Sequence, residues 1–515
     1  MSHRLETTVR TLLERQAGEN PDRLFALFPE TGKSLSFSGL HANSRRLSAL
    51  LARRQIGAGE RVAFLMPNGF QGVNLFVGIL SSGAVAVPLS LLAQPAQLAH
   101  VLQHSDARLI FVASHLAGKL NEALNVLTRP VQVIELDPDS PAPWDVDQPD
   151  DVFSDSWPGP ALADENDALQ MYTSGTTGLP KGVVLSQANV VAGARFVSEA
   201  HALRMHDRVL AVLPLYHINA QVVTVLAPLF HGGSLVMPSR FSVHDFWQQA
   251  ISHGCTWLNV VPTIISYLLA SDSDPLSLGA HVSRIHFCRS ASAPLPPDQQ
   301  RAFEARFGIG VIETMGLTET AAPCFTNPLP PSERRIGSPG KPWGNEARIA
   351  SPDTNEPLSD GQTGEIQIRG PNVMKGYYRA ADETARSFTP DGWLRTGDLG
   401  YRDRDGYYFV TGRIKELIIK GGENIAPREI DEALLRHPAV LEAAAFAVHD
   451  VHYGQDIEAG VVLQPGISCD EISLQNFCRQ ELGAFKTPRA IHFLGDLPKG
   501  PSGKVQRLRL LSLLP

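Results

Sequence analysis

The chain has 515 residues, 43 % of them hydrophobic and 19 % charged, a globular balance that excludes a disordered or coiled-coil chain. Its 53 acidic and 45 basic side chains leave a formal net charge of -8 with no long basic run, which argues against nucleic-acid binding. Five scattered cysteines without a C-x-x-C pair exclude a disulfide framework or a cysteine-based zinc site, and they fit a reducing, cytoplasmic setting.

Taken in chain order, the opening MSHRLETTVRTLLERQ carries charges throughout and no apolar core, so no signal peptide is expected. Val62 to Ser105 holds no Asp, Glu, Lys or Arg, but Pro67, Gly69, Gly72, Gly78, Gly83, Pro88 and Pro95 interrupt it. That pattern predicts buried strand–helix–strand structure rather than an integral membrane segment. Short apolar runs separated by helical spacing follow. RVAFLMP, AVAVPL, RLIFVA and VQVIEL read as strands, and so do RVLAVLPL (Arg208 to Leu215), SLVMP, TWLNVVP and RIHFCRS. Strands alternating with helices predict layered α/β subdomains with mostly parallel sheets. Asp137 to Asp164, rich in Pro and Asp, reads as a long surface connection. Around Gly337 the texture becomes β-rich, as in EIQIRG, GYYFVTGR and KELIIKGG, and Gly and Pro gather there. After Arg428 helix and strand patterns resume, predicting a small α+β C-terminal domain. The expected division is 1–414 and 415–515. The chain ends LSLLP, not S-K-L, so no peroxisomal address of that kind is expected.

Five segments carry chemistry. YTSGTTGLPKGVVLSQANV follows a strand, DALQMYT, and precedes a helix, SQANVVAGARFV. Its Thr173, Ser174, Gly175, Thr176, Thr177 and Lys181 combine hydroxyl donors, glycines that admit close backbone approach, and one cation, all of which suit phosphate. The spacing is not that of a Walker loop. ETMGLTET offers Thr318 and a carboxylate, Glu319, suited to a hard cation between phosphates. WLRTGDLGYRDRDGYYFVTGR offers Asp398 and Arg413, KELIIKGGENIAP offers Lys420, Gly421 and Gly422, and LPKGPSGKVQR offers Lys504.

In this order, from about Phe37 to Arg507, these segments closely resemble the signature motifs of the adenylate-forming superfamily. That superfamily includes acyl- and aryl-CoA synthetases, peptide-synthetase adenylation domains and firefly luciferase. The resemblance implies a large N-terminal AMP-binding domain and a small mobile C-terminal domain hinged at Lys415. It implies ATP, Mg²⁺ and coenzyme A as cofactors and co-substrates, and an acid activated as acyl-adenylate before transfer to a thiol, as in fatty-acid metabolism. By resemblance, Thr318 contacts phosphate, Glu319 holds Mg²⁺, and Ser292, Thr314, Met315 and Gly316 line the nucleotide site. Met315 stands where relatives often carry an aromatic residue against adenine. Asp398 binds the ribose hydroxyls, Arg413 the ribose or phosphate. Lys420, Gly421 and Gly422 line the pantetheine tunnel, while an ordinary hairpin turn also suits those glycines. Lys504 neutralises charge at the reacting α-phosphate. His217 falls beside the acyl group, with a core histidine as the rival reading. The acceptor is expected to be CoA, the alternative being a carrier-protein phosphopantetheine or an amine. A homodimer is compatible with the resemblance, which fixes no oligomeric state.

For the acid, the C-terminal half most resembles the oxalyl-CoA synthetase branch, through IRGPNVMKGYYR, GRIKELIIKGGENIAP, AFKTP and SGKVQR. Ala321 and Ala322 depart from the polar or basic residue of that branch. The pocket segments show few cations beyond His217 and Arg289, which favours an apolar short-to-medium or aromatic acid at least as much as a dicarboxylate.

Overall fold

A computed structural model describes residues 7–140, 157, 161–173, 180–273, 275, 280–330, 332–499 and 505–513. Among the described residues the strands form four sheets. The first has seven strands, with Arg61–Leu65, Val85–Pro88, Leu109–Ala113 and Gln132–Leu136 in parallel and the hairpin Asp167–Thr173/Lys181–Ser186 beside them. The second has nine, with Arg208–Ala211, Trp257–Val260, Phe287–Ser290 and Val311–Leu317 adjacent and parallel at its centre. One apolar core joins the two.

The charge-free stretch owes its composition to its place between these sheets. Helix Phe70–Ser82 is buried at all 13 positions, so no face of it calls for a charge. It packs on helix Phe37–Arg53 so closely that a Cβ at Gly78 would stand 2.7 Å from Leu47 Cδ2. No helix of the described residues is long and apolar enough to cross a membrane.

The β-rich part is an antiparallel meander of Glu346–Ala350, Gly364–Arg369, Leu394–Arg402 and Tyr408–Arg413. The C-terminal domain packs helices Pro427–Leu435 and Glu471–Leu482 on the strands Val440–Asp450, Gly454–Leu463 and Ala490–Phe493, around a core of its own.

Two local expectations change. The phosphate-loop segment does not pass from strand to loop to helix: Lys181–Ser186 is a strand paired antiparallel with Asp167–Thr173, and helix Gln187–Ala200 begins after it. The β-branched pair Val183–Val184 favours the pleated surface that buries it there. The segment Arg208 to Leu215 is a strand only to Ala211. Pro214 has no N–H for a ladder, and the Asn68 side chain instead bonds Leu213 O at 3.0 Å and Leu215 N at 2.8 Å.

Candidate active site

Ligands of open parallel sheets usually bind outside the carboxyl ends of the strands, and the second sheet brings four such ends side by side. Strand Val311–Leu317 runs parallel to Phe287–Ser290 as far as Glu313, then turns to pair antiparallel with Ala322–Thr326. The turn between them carries Thr318, Glu319 and Thr320 in one 3-10 turn.

That turn is tightly over-determined. Thr320 Oγ1 accepts from Leu317 N at 3.0 Å and lies 2.9 Å from Ala322 O, while Asn372 Nδ2 donates to Thr320 O at 2.8 Å. Ala321 and Ala322 both take left-handed backbone, φ 47° and 81°, a strained state for alanine. A Cβ at Gly316 would meet Ala322 O at 2.2 Å, and one at Gly193 would meet Ala321 O at the same distance. The packing of two glycines therefore holds Glu319 where the local backbone alone would not.

Around Glu319 the structure gathers side chains from three parts of the chain. The Tyr377 hydroxyl donates to Glu319 Oε1 at 2.9 Å. Burial and the Glu319 charge push the Tyr377 phenol up, so it stays a donor. Lys181, opposite Thr173 in the hairpin, forms an ion pair with Glu383 and lies 5.3 Å from the Tyr377 ring centroid. Lys181 and Arg386 hold the half-buried Glu383 carboxyl at about 2. Residues 174–179, with Ser174, Gly175, Thr176 and Thr177, lie outside the described residues, as does Lys504. Lys499 and Val505, which flank the Lys504 segment, form an antiparallel bridge.

Asp398 and Arg413 are direct partners across the meander, with Arg413 Nε donating to Asp398 Oδ1 at 2.7 Å. The Asp398 charge, more than any other, raises the Arg413 guanidinium, with Glu416 and Glu319 adding to it. Arg413 thus lies within the electrostatic reach of the Glu319 turn. Thr314 is buried beside Ser290, its hydroxyl 3.5 Å from Ser290 O, and Met315 packs against the small core of the β-rich part. Ser292 has left-handed backbone, φ 74°, and its hydroxyl lies 3.2 Å from Asn219 Nδ2. His217 precedes the π-helical turn Asn219–Leu226, half-buried, with its ring 4.5 Å from that of Tyr216.

In the small domain Lys420 is buried, with Nζ 2.5 Å from Asp456 Oδ1 and close to the Tyr453 and Phe485 rings. Gly421 and Gly422, φ 57° and 86°, make the turn of the hairpin Ile418–Lys420/Glu423–Ile425. A Cβ at Gly422 would meet nothing within 4 Å, so the approach to it is open.

Among the described residues no group of three His, Cys, Asp or Glu would by itself hold a metal ion. The donor chemistry nonetheless fits magnesium, which commonly takes one or two carboxylates together with substrate phosphates. Glu319 is the carboxylate available for that.

Several residues of this region lack an isolated sequence signal: Tyr377, Glu383, Asn219, Asn259 and Glu313. Glu313 is a strongly perturbed carboxyl. It is 3 % exposed, Oε1 accepts from Leu295 N at 3.0 Å, and Oε2 has no hydrogen-bond partner. Burial pushes its carboxyl from the ordinary 4.5 up to about 7, with Arg428 pulling the other way. The native chain then keeps a proton that the unfolded chain has lost, so stability falls as pH rises from about 4.5 to about 7. Glu313→Gln removes that penalty and is expected to exceed the wild type by roughly 2 kcal/mol at pH 8, the gap closing by about pH 5. Thermal unfolding of both proteins from pH 5 to 8 checks this; parallel curves would contradict it.

Comparison with known proteins gives a consistent picture. The family model described as AMP-binding enzyme matches residues 13–378, and that described as AMP-binding enzyme C-terminal domain matches 429–504. A sulfoacetate–CoA ligase of Cupriavidus necator is 54 % identical over 98 % of this chain and 97 % of its own length. An oxalate–CoA ligase of Arabidopsis thaliana is 35 % identical, covering 97 % of each chain. Among solved structures, ATP-bound MatB from Rhodopseudomonas palustris superposes with a TM-score of 0.88 at 28 % identity, covering 98 % of this chain and 99 % of its own.

Proposed function

This chain belongs to the AMP-binding enzyme family and is an ATP-dependent carboxylate–CoA ligase, and we propose that the acid it activates is sulfoacetate. The observation that carries the substrate is the 54 % identity, along nearly the whole chain, to a sulfoacetate–CoA ligase. The oxalate–CoA ligase at 35 % is named for another short acid with two acidic groups, which points the same way. The few cations of the pocket segments, His217 and Arg289, leave an apolar or aromatic acid at least as favoured as a dicarboxylate on sequence; the burial of Arg289 tips that balance towards a second acidic group.

In the first half-reaction a carboxylate oxygen attacks the α-phosphorus of ATP and pyrophosphate leaves. Positioning and charge neutralisation supply most of the catalysis in such a transfer. Thr173, Ser174, Gly175, Thr176, Thr177 and Thr318 would donate to the phosphates. Lys181 would exchange Glu383 for a phosphate oxygen, so that its present ion pair keeps the cation oriented until nucleotide arrives. Magnesium, when bound at Glu319, supplies charge that neutralises phosphate oxygens. Asp398 would accept from the ribose hydroxyls while Arg413, oriented by it, reaches ribose or phosphate. Met315 and Gly316 would line the base, with Ser292 and Thr314 beside the adenylate, and His217 would stand at the acyl group.

In the second half-reaction the CoA sulfur attacks the acyl carbon and AMP leaves. Residues 415–515 would turn about Lys415, withdrawing Lys504 and presenting Lys420, Gly421 and Gly422 to the pantetheine arm. Separate cores on either side of the joint, and the short 3-10 turn Ile414–Glu416 between strands, support that division. Five free cysteines support a reducing, cytoplasmic location.

Pyrophosphate release over a panel of sulfoacetate, oxalate, malonate, butyrate and octanoate, with and without CoA, tests the reading. The expected result is the highest kcat/KM for sulfoacetate, with sulfoacetyl-CoA as the product by mass. Faster turnover of butyrate or octanoate would overturn the substrate. Pyrophosphate release without thioester would shift the acceptor to a carrier protein or an amine.

A further inference from the structure

Arg289 is the third residue of strand Phe287–Ser290, at the carboxyl end of the parallel sheet, and only 2 % of it is exposed. Its Nη1 donates to Asn259 Oδ1 at 2.8 Å and to Asn219 Oδ1 at 2.9 Å. Its Nε is buried with no hydrogen-bond partner among the described residues. The two asparagines are neutral acceptors, and no described carboxylate forms an ion pair with the guanidinium. Burial alone pulls it from 12.5 to about 9, with no opposing anion.

A buried guanidinium without an anion is an expensive feature, one found where an anionic group arrives from outside. The fold places it to receive one. Strand register sets Asn259 opposite Arg289, and Asn219 begins the π-helical turn two residues after His217. Asn219 uses its other side-chain end on Ser292 Oγ, at 3.2 Å, so the network runs from Arg289 to the segment that borders Thr314 and the adenylate side. With Nη1 committed to the asparagines, the rest of the planar fork is left for a tetrahedral or planar oxyanion, the geometry guanidinium recognises best.

We propose that Arg289, oriented by Asn219 and Asn259, binds the second oxyanion of the acid and makes the enzyme selective for short carboxylic acids that carry a sulfonate, a role that rests on the sulfoacetate reading of the pocket. A neutral acid of the same length leaves the guanidinium buried and unpaired, and sites built around a polar partner reject analogues that lack it far more strongly than apolar pockets reject a missing methylene. The exposed carboxylate end of the same acid remains free to attack phosphorus.

The test compares kcat/KM for sulfoacetate and for propionate, read as pyrophosphate release, in the wild type, Arg289→Gln and Asn259→Asp. Arg289→Gln deletes the charge. Asn259→Asp keeps the arginine but puts a resident anion where the 2.8 Å hydrogen bond now lies, so it tests the same idea in a protein whose buried charge is paired. The expected result is a fall of at least about 10²-fold in the sulfoacetate-to-propionate ratio for Arg289→Gln and at least about 10-fold for Asn259→Asp, mostly through KM. Wild-type protein that ignores sulfoacetate overturns the substrate reading. Wild-type turnover of sulfoacetate with an unchanged ratio in Asn259→Asp overturns the role of Arg289 while leaving that substrate in place.

Discussion

Lys504→Ala slows acyl-adenylate formation at least about 10²-fold, while thioester formation from supplied acyl-adenylate stays within a few-fold of wild type. The asymmetry follows from where charge develops. In the first half-reaction an anionic carboxylate approaches an anionic phosphate, and a cation between them lowers the barrier in proportion to how dry the site is. In the second, a thiol attacks an acyl carbon and the α-phosphate departs with AMP, so a cation needed at bond formation to phosphorus is no longer required there. The flanks of the Lys504 segment are tied by the Lys499–Val505 bridge, and Lys499 itself donates to Glu442 at 2.8 Å within the small domain. The described flanks of the segment therefore belong to the small domain's body. Measuring the two half-reactions separately, by pyrophosphate release and by thioester formation from synthetic adenylate, checks the claim; equal loss in both removes Lys504 from the first step.

Glu319→Ala is expected to lower adenylation by roughly 10²- to 10³-fold and to raise the Mg²⁺ concentration needed for half-maximal pyrophosphate release. Two things make the effect large. Glu319 is the carboxylate that we propose a hard cation would meet, and the 3-10 turn on which it sits is held by strained alanines and close-packed glycines, so its position is fixed. Glu319→Gln should fall nearly as far, because it retains a hydrogen bond with Tyr377 but loses the charge. Unchanged Mg²⁺ dependence in both variants would take the metal away from this residue.

How much of this was legible beforehand depends on whether a feature is local. The phosphate site proposed for Thr173 to Lys181 is suggested by one contiguous string, because hydroxyls, glycines and a cation that would serve one phosphate chain lie close together in sequence. The β-rich part reads from its glycines and prolines, and helix Phe70–Ser82 from its lack of charge, with Gly78 explained once Leu47 stands beside it. The strand Lys181–Ser186 was hidden because its pairing partner, not its own few residues, makes it a strand. Tyr377 and Glu383 were hidden for the same reason: an isolated Tyr or Glu reads as surface until the fold sets it against Glu319 or Lys181.

The motifs alone pointed to the chemistry of the reaction, because the donors, cation and carboxylate that suit ATP lie in short contiguous strings. Tertiary structure decided the network that we propose for the acid. Asn219, Asn259 and Arg289 come from three separate segments, and each by itself is a polar residue in an apolar run. Only parallel strand register and the turn beside His217 bring both asparagines within 3 Å of the guanidinium, and only burial turns one arginine among many into a charge that needs an anion.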